Sequence, residues 1–566
     1  MTLKAVDVAE ASQALSSFVE AFRAYHVLKR VTLEHRIQGS PGLREAVRAV
    51  EEILLSNPLL PLEVREHEAS PSSLPGWAPR IPEWSVEGAW LEVEGKRWRL
   101  DGHPTLAMAH SPPGGPVEAE VVEVREWWDP SAYERARGRI VLTSGPQDVA
   151  FTLAAKAGAE ALIGYNPKLP GDAFPYKGLF LPRRALEGAG IPALTASSSL
   201  AARLGGSRAR VGVDASIGGD ARQPYLEALI PGRGSGPRVA VVAHICHPRP
   251  GANDNASGVA AVVEAALALS EAIDSGRLEA PAGDIVFLLV PEYAGSLAAL
   301  SRGMRVDYAL NIDMVGVPPG GGDGPLRLLP PPPPLGLEPA AALYYALEAI
   351  GASSWTLEAP GSGSDHDAFN AYGIPAAMLN QWPDTYYHSD RDDADRISPE
   401  RLRVAALAAA AAAYTLARGG FDSSGFADLY TRLIAERHAA HGDLLAARLA
   451  ASTLRILYGL NPLSEPPGDY RPEAPWEEAV FASPLVLPSA VTAKDPLLGA
   501  RLRRILGSGL DGYTFYLMEP AILSRLGLGV KEVLVVEKAL HGSSVEAGRL
   551  WEALEVLSEA GAVRLL

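Results

Sequence analysis

The stretch RVAVVAHICHPRPGANDNASGVAAVVEAALALS, residues 238–270, decides the reading of this chain. After Arg238 every position up to 243 is apolar, so a strand here has both faces buried. A loop of small and polar residues follows. From Gly258 to Ser270 apolar residues run on without a breaker, the pattern of a buried helix. A doubly buried strand, a polar loop and an apolar helix make up most of a strand–helix–strand unit, the building block of parallel sheets. The strand pattern returns as DIVFLLV over 284–290, YALNID over 308–313 and GIPAAML over 373–379. A helix over 399–418 closes the region. The expected fold class is α/β, a helix-covered and mostly parallel sheet.

Working outward, residues 5–55 predict helices, with apolar residues three and four apart over 9–23 and 43–55. Between them residues 36–42 form a turn-rich break, with Ser40 as a helix cap and Pro41 at a first helical position. Residues 66–116, rich in Pro, Trp and Gly, read as irregular or short-stranded. Short strands at 139–143, 161–165 and 191–195 alternate with helices at 148–157 and 198–204. The segment 317–334, with its five consecutive prolines, reads as an extended surface loop. Residues 461–475 read as a proline-rich linker. The C-terminal stretch reads as helical and winged-helix-like, with a helix over 548–560 and a last strand over 562–566. The expected division is 1–116, 117–215 as an inserted unit, 216–420 as the core and 421–566 as the C-terminal region.

Composition narrows the function. With 47% hydrophobic and 21% charged residues the chain has ample core material, which excludes extensive disorder. A net charge of −16 argues against nucleic acid or an anionic membrane as partner. Cys246 is the one cysteine, so no intrachain disulfide exists, and its presence alone suits a reducing cytosol. The start lacks the basic and apolar pattern of a secretory signal. The apolar stretch at 404–417 is shorter than the ~20 residues a membrane span needs. A cytoplasmic location is the expectation.

Ligands of open α/β sheets bind beyond the carboxyl ends of the strands. His244 ends the first strand, with Asp254 in the loop after it. Glu292 follows the second strand, Asp313 ends the third, and His388 follows the fourth. Singly, each has an ordinary use, as a turn former, a helix cap or a solvated loop residue. Jointly, two imidazoles and three carboxylates at successive strand ends suit a zinc centre that activates water.

These residues stand in motifs that resemble the M28 metallo-aminopeptidases: GANDNASG at 251–258, NIDMVG at 311–316, GSDH at 363–366, GIPA at 373–376, and YHSD at 387–390 with DAD at 393–395. Residues 36–42 resemble that family's start, and 139–204 resembles the protease-associated domain some members insert. The resemblance covers about residues 20–418. It implies a zinc-dependent α/β peptidase that removes N-terminal residues from peptides, with one or two ions per chain. By resemblance His244 and Asp313 hold one ion, His388 the other, and Asp254 bridges them. Asp365, His366, Tyr386 and Tyr387 are implied as supporting or substrate-contacting groups, a tyrosine hydroxyl facing an oxyanion.

The chain departs from the family twice. Where the family has paired glutamates, base then ligand, it has Pro291-Glu292, so Glu292 is either base or ligand. Where an aspartate orients the first histidine, it has Cys246, so His247 becomes an alternative ligand. A peptide substrate and a homo-oligomer are the expected partners. Two other readings follow from the departures: a one-metal acyltransferase, cyclase or deacylase on the same fold, and a degenerate peptide-binding or assembly protein.

Overall fold

The computed structural model describes residues 5–57, 60–76, 78, 80–467, 470, 472–483, 485–507 and 510–566. Its larger sheet has eight strands. They lie in the order Glu63–Ala69, Gln223–Ile230, Ile285–Val290, Val239–His244, Tyr308–Asp313, Ala376–Gln381, Leu326–Leu329 and Trp355–Leu357. The four middle strands run parallel, and antiparallel pairings flank them. Val239–His244 and Ile285–Val290 are buried at every residue, as their unbroken apolar runs require.

The chain leaves Val239–His244 through the helix Gly258–Asp274 and enters its neighbour Ile285–Val290. It then recrosses Val239–His244 to reach Tyr308–Asp313 on the other side. Strand order therefore reverses between His244 and Asp313. A crevice opens at such a reversal, beyond the carboxyl ends of the strands. The helix Pro399–Arg418, alanine-rich and buried over most of its length, packs against Gly258–Asp274. The helical run Ala252–Asp274 is long and apolar enough to cross a membrane, yet 89% of its window is buried, so it is a core helix.

A second sheet of seven strands runs from Lys96–Arg99 at one edge, through Pro82–Val93, Arg208–Asp220, Gly114–Glu123, Ile140–Thr143 and Ala161–Gly164, to Ala193–Thr195. Its first strand begins at Pro82, well before position 117. The twelve-residue strand Pro82–Val93 stands where irregular or short-stranded structure was expected over 66–116. Its alternation is blurred by Gly88 and by bulges against Arg208–Asp220, which is why the pattern is weak in sequence.

Three further expectations are corrected. The helix expected over 9–23 is two helices, Ala5–Leu15 and Ala21–Val31. The segment 317–334 is a surface loop only in its first part: 318–322 are exposed, but Leu326–Leu329 joins the sheet and Pro330 to Pro333 are buried. The hydroxyl of Tyr458 donates to the Pro331 carbonyl at 3.0 Å, so the C-terminal region helps cover them. The helix Gly258–Asp274 also runs one turn beyond Ser270.

The C-terminal region is helical from Ser424–Ala440 to Ala547–Glu559, and its last strand Val563–Leu565 pairs with Ala479–Phe481. Its apolar residues join the core of the larger sheet without a break.

Candidate metal centre

The loop after Val239–His244 is held by Arg36, a fully buried residue of the turn before the helix Pro41–Leu54. Its guanidinium donates to the carbonyls of Ile245 at 2.8 Å, Pro250 at 2.9 Å and Gly251 at 2.6 Å. Gly251 has φ +52°, and a Cβ there would lie 2.4 Å from Nδ1 of His247. Glycine is thus required for this loop to fold under the imidazole. Asp392, fully buried, accepts the N–H groups of Asn253 at 2.8 Å and Asp254 at 2.9 Å. Asn255 accepts from Gly258 N and Met314 N, tying the loop to the end of the third parallel strand.

Within this frame Asp254 divides its two oxygens. Its Oδ1 lies 3.2 Å from His244 Nε2, which is itself 3.4 Å from Asp313 Oδ1. Its Oδ2 lies 3.3 Å from His247 Nε2 and 3.0 Å from His388 Nε2. Two triads, His244–Asp254–Asp313 and His247–Asp254–His388, therefore share one carboxylate, and the donor atoms of each lie within 4.8 Å of one another.

The outer nitrogens of two imidazoles are already engaged. His244 Nδ1 is 3.1 Å from the Cys246 carbonyl, and His247 Nδ1 is 3.1 Å from the Pro248 carbonyl. A carbonyl accepts only, so each Nδ1 carries a proton and each Nε2 faces carboxylate oxygen, a place that a proton or a cation must fill. His247 Nε2 and Asp313 Oδ1 are buried without a hydrogen-bond partner. Lone pairs facing lone pairs in a buried site call for a cation, and nitrogen with carboxylate oxygen is a zinc donor set. The residues fit a pair of divalent ions.

Burial opposes the charge on Asp254, but the three imidazoles hold its carboxyl well below the ordinary range. Burial likewise opposes charge on His244, yet the carboxylates of Asp313, Glu292 and Asp254 push it well above its usual value, so a proton holds the place between nitrogen and carboxylate that a cation would take. For His247 burial prevails and the ring is held below its usual value, neutral as a ligand must be.

The structure brings His244, Asp254, Asp313 and His388 together. It also brings in His247, so the two histidines that sequence alone set as alternatives stand one in each triad. Glu292 joins neither triad. Its carboxyl is pushed up to about 8 by burial and by Asp365, Asp313 and Asp254, with His244 opposing, which places it beside the cluster. Cys246 does not turn its sulfur to the triads. Its Sγ accepts the Glu292 N–H at 3.1 Å, and Gln38 Nε2 reaches the same sulfur and the Glu292 carbonyl.

Asp365 accepts the Tyr293 N–H at 2.9 Å, and burial raises its carboxyl to about 6. His366 faces away, its Nε2 2.7 Å from the Gly361 carbonyl. Tyr387 stacks on His388 with ring centroids 3.8 Å apart. Burial and the carboxylates of Asp254, Glu292 and Asp313 push the Tyr387 phenol well above its usual value. Tyr386 lies under the Arg396 guanidinium instead.

Sequence reasoning missed Tyr176. It comes from the loop between strands Ala161–Gly164 and Ala193–Thr195 of the second sheet, and its ring meets His247 at 4.8 Å and His388 at 5.1 Å edge-on. Its backbone N–H donates to the His388 carbonyl at 2.6 Å. Nothing local in AFPYKG signals this. Asp392 was missed as well, although its place in the RDDAD run near His388 was a usable signal.

The model of Peptidase family M28 matches residues 227–413, which span the parallel strands and both triads. The chain carries a peptidase family M28 domain. The match places the chain among the peptidases, hydrolases of the peptide bond. Solved structures share the fold of this M28 domain and its surroundings. One is an aminopeptidase from Aneurinibacillus sp. strain AM-1, 22% identical, with a TM-score of 0.50 over 72% of this chain and 97% of its own. Another is BSAP, a zinc aminopeptidase from Bacillus subtilis, at 21%, 0.53, 70% and 94%. A third is a Peptidase M28 precursor from Shewanella amazonensis, at 16%, 0.54, 73% and 98%. A search of the curated proteins found no match.

Proposed function

We propose that the chain is a zinc-dependent aminopeptidase, with one ion in the triad His244–Asp254–Asp313 and a second in His247–Asp254–His388. The observation that carries this reading is the shared carboxylate of Asp254 between two sets of donors, each with a buried atom that has no hydrogen-bond partner, Asp313 Oδ1 in one and His247 Nε2 in the other. In this reading His247 takes the ligand place that a second glutamate holds in the family, and Glu292 is left free as the base. Bound zinc polarises a peptide carbonyl and lowers the pKa of water.

The residues of the chain do the rest. Glu292 takes the proton of the attacking water and hands it to the leaving amine, general acid–base work that contributes 10²–10⁴-fold in rate. A carboxyl that burial and neighbouring carboxylates raise is a better proton acceptor, and positive charge in the triads returns it to the ionised form. Cys246 Sγ and Gln38 fix the backbone of Glu292 at its N–H and its carbonyl. The Tyr387 hydroxyl, beside the carboxylates, supplies a donor to the oxyanion. Asp365, fully buried, accepts the Tyr293 N–H and so holds the turn that carries Glu292.

The test compares one peptide with a free and with an acetylated amino terminus, after chelation and after adding zinc back. Zinc-dependent release of the first residue from the free peptide alone is expected. Equal cleavage of both peptides, or cleavage that survives chelation, contradicts the reading. Two bound ions count against the one-metal alternatives on this fold.

A further inference from the structure

A second group of metal-binding side chains stands in the C-terminal region, on elements outside the M28 domain. Glu537 and His541 lie four residues apart on the helix Val530–His541, so they share a face. Glu519 opens the helix Glu519–Arg525. His541 Nε2 is 2.8 Å from Glu519 Oε2 and 3.8 Å from Glu537 Oε2, and the three donor atoms lie within 4.8 Å of one another. Glu537 is 0% exposed and Glu519 1%.

Both carboxylate oxygens of Glu537, and Oε1 of Glu519, are buried without a hydrogen-bond partner. One imidazole N–H cannot satisfy three such oxygens, and an unpaired buried carboxylate is costly. Two carboxyls buried side by side need either a proton or a cation between them. A proton shared between Glu537 and Glu519 would serve one oxygen of each and leave the second Glu537 oxygen unpartnered. A divalent ion satisfies all three groups at once. Two carboxylates, a neutral imidazole and a 2+ charge sum to zero, and this nitrogen–oxygen set suits zinc.

We propose that Glu519, Glu537 and His541 form a further zinc site, which pins the helix Val530–His541 to the helix Glu519–Arg525. The segment Thr514–Met518 leads directly into Glu519, and Thr514 Oγ1 accepts the Ser362 N–H at 3.2 Å beside the GSDH turn. The ion therefore braces the part of the C-terminal region that abuts the M28 domain near Asp365.

The full chain, stripped with chelator and reloaded with zinc alone, is measured for zinc per chain beside the Glu537→Gln variant. A content lower by one ion in the variant is expected, and an unchanged content overturns the site. Zinc-edge anomalous diffraction from the wild-type chain removes any dependence on how the variant folds. A peak among Glu519, Glu537 and His541 is expected. Its absence, with peaks present at Asp254, overturns the site and leaves a proton-sharing cluster, without touching the assignment of the Asp254 triads.

Discussion

Cys246 divides its work between two atoms. Its carbonyl receives His244 Nδ1 and its sulfur receives the Glu292 N–H, so one residue aligns the proposed ligand and the proposed base. Read as sequence, a cysteine in place of an orienting aspartate looks like a loss. A backbone carbonyl fixes the imidazole tautomer as well as a carboxylate does, and carbonyls leave no trace in a motif. The convergence of His244, Asp254, Asp313 and His388 was legible because His244 and Asp313 end strands and Asp254 and His388 stand in the loops that follow strands, whereas the pairing of His247 with His388 depends on how the loop turns under Gly251. If Glu292 is the base and not a ligand, Glu292→Gln lowers kcat by about 10²–10⁴-fold with zinc content unchanged. Loss of a zinc ion in that variant would make Glu292 a ligand. His110 gives a pH prediction. It is fully buried, and burial lowers its pKa to about 4 despite the Gln38 carbonyl. Below the free value of ~6.5 the unfolded chain binds a proton that the folded chain refuses, so stability falls as pH drops from ~6.5 toward 4, by up to ~1.4 kcal/mol per pH unit. Urea midpoints of metal-free protein should fall more steeply in this window than those of His110→Gln. Parallel curves would contradict the assignment.

At the scale of elements, the strongly periodic or doubly apolar segments were legible. The helix Pro41–Leu54 begins as expected, with Ser40 Oγ accepting from Leu43 N at 3.3 Å and Pro41 at the first position. The strand Pro82–Val93 was not legible, because its burial depends on partners far along the chain. The break between Ala5–Leu15 and Ala21–Val31 was hidden for a related reason. Glu20 donates its N–H to Glu264 at 2.6 Å, and Arg23 meets Glu264 at 2.7 Å and Glu271 at 2.6 Å, both on the core helix Gly258–Asp274. Glu264 is 0% exposed. Arg23→Met strands that carboxylate in the core and should cost about 3 kcal/mol. Urea unfolding measures it, and a change below ~1 kcal/mol would mean the Glu20 N–H alone satisfies Glu264.

At the scale of the molecule, the candidate centre is built by more than the M28 domain. The second sheet sends Tyr176 onto two of the histidines, and Pro175 bridges to Ser389 next to His388. The C-terminal region reaches both parts: Arg503 pairs with Asp148 of the second sheet's helix Gln147–Lys156 at 3.2 Å, and Arg525 donates to the Ala371 carbonyl. Such long-range joins carry no periodicity, so the sequence left them unread. Tyr176→Ala removes packing that holds His247 and His388 in place and should weaken zinc binding about 10-fold, since groups that orient ligands are worth 10–100-fold. Competition against a zinc-chelating dye measures it, and unchanged affinity would confine the centre to the M28 domain. The central claim rests on Asp254 serving both triads. Its most direct test is the rate at which zinc-loaded wild-type and Asp254→Asn chains, side by side, release the first residue from free peptides. The account predicts release by the wild type and a loss of at least a thousandfold in the variant, the scale of removing an essential catalytic group; equal rates would contradict it.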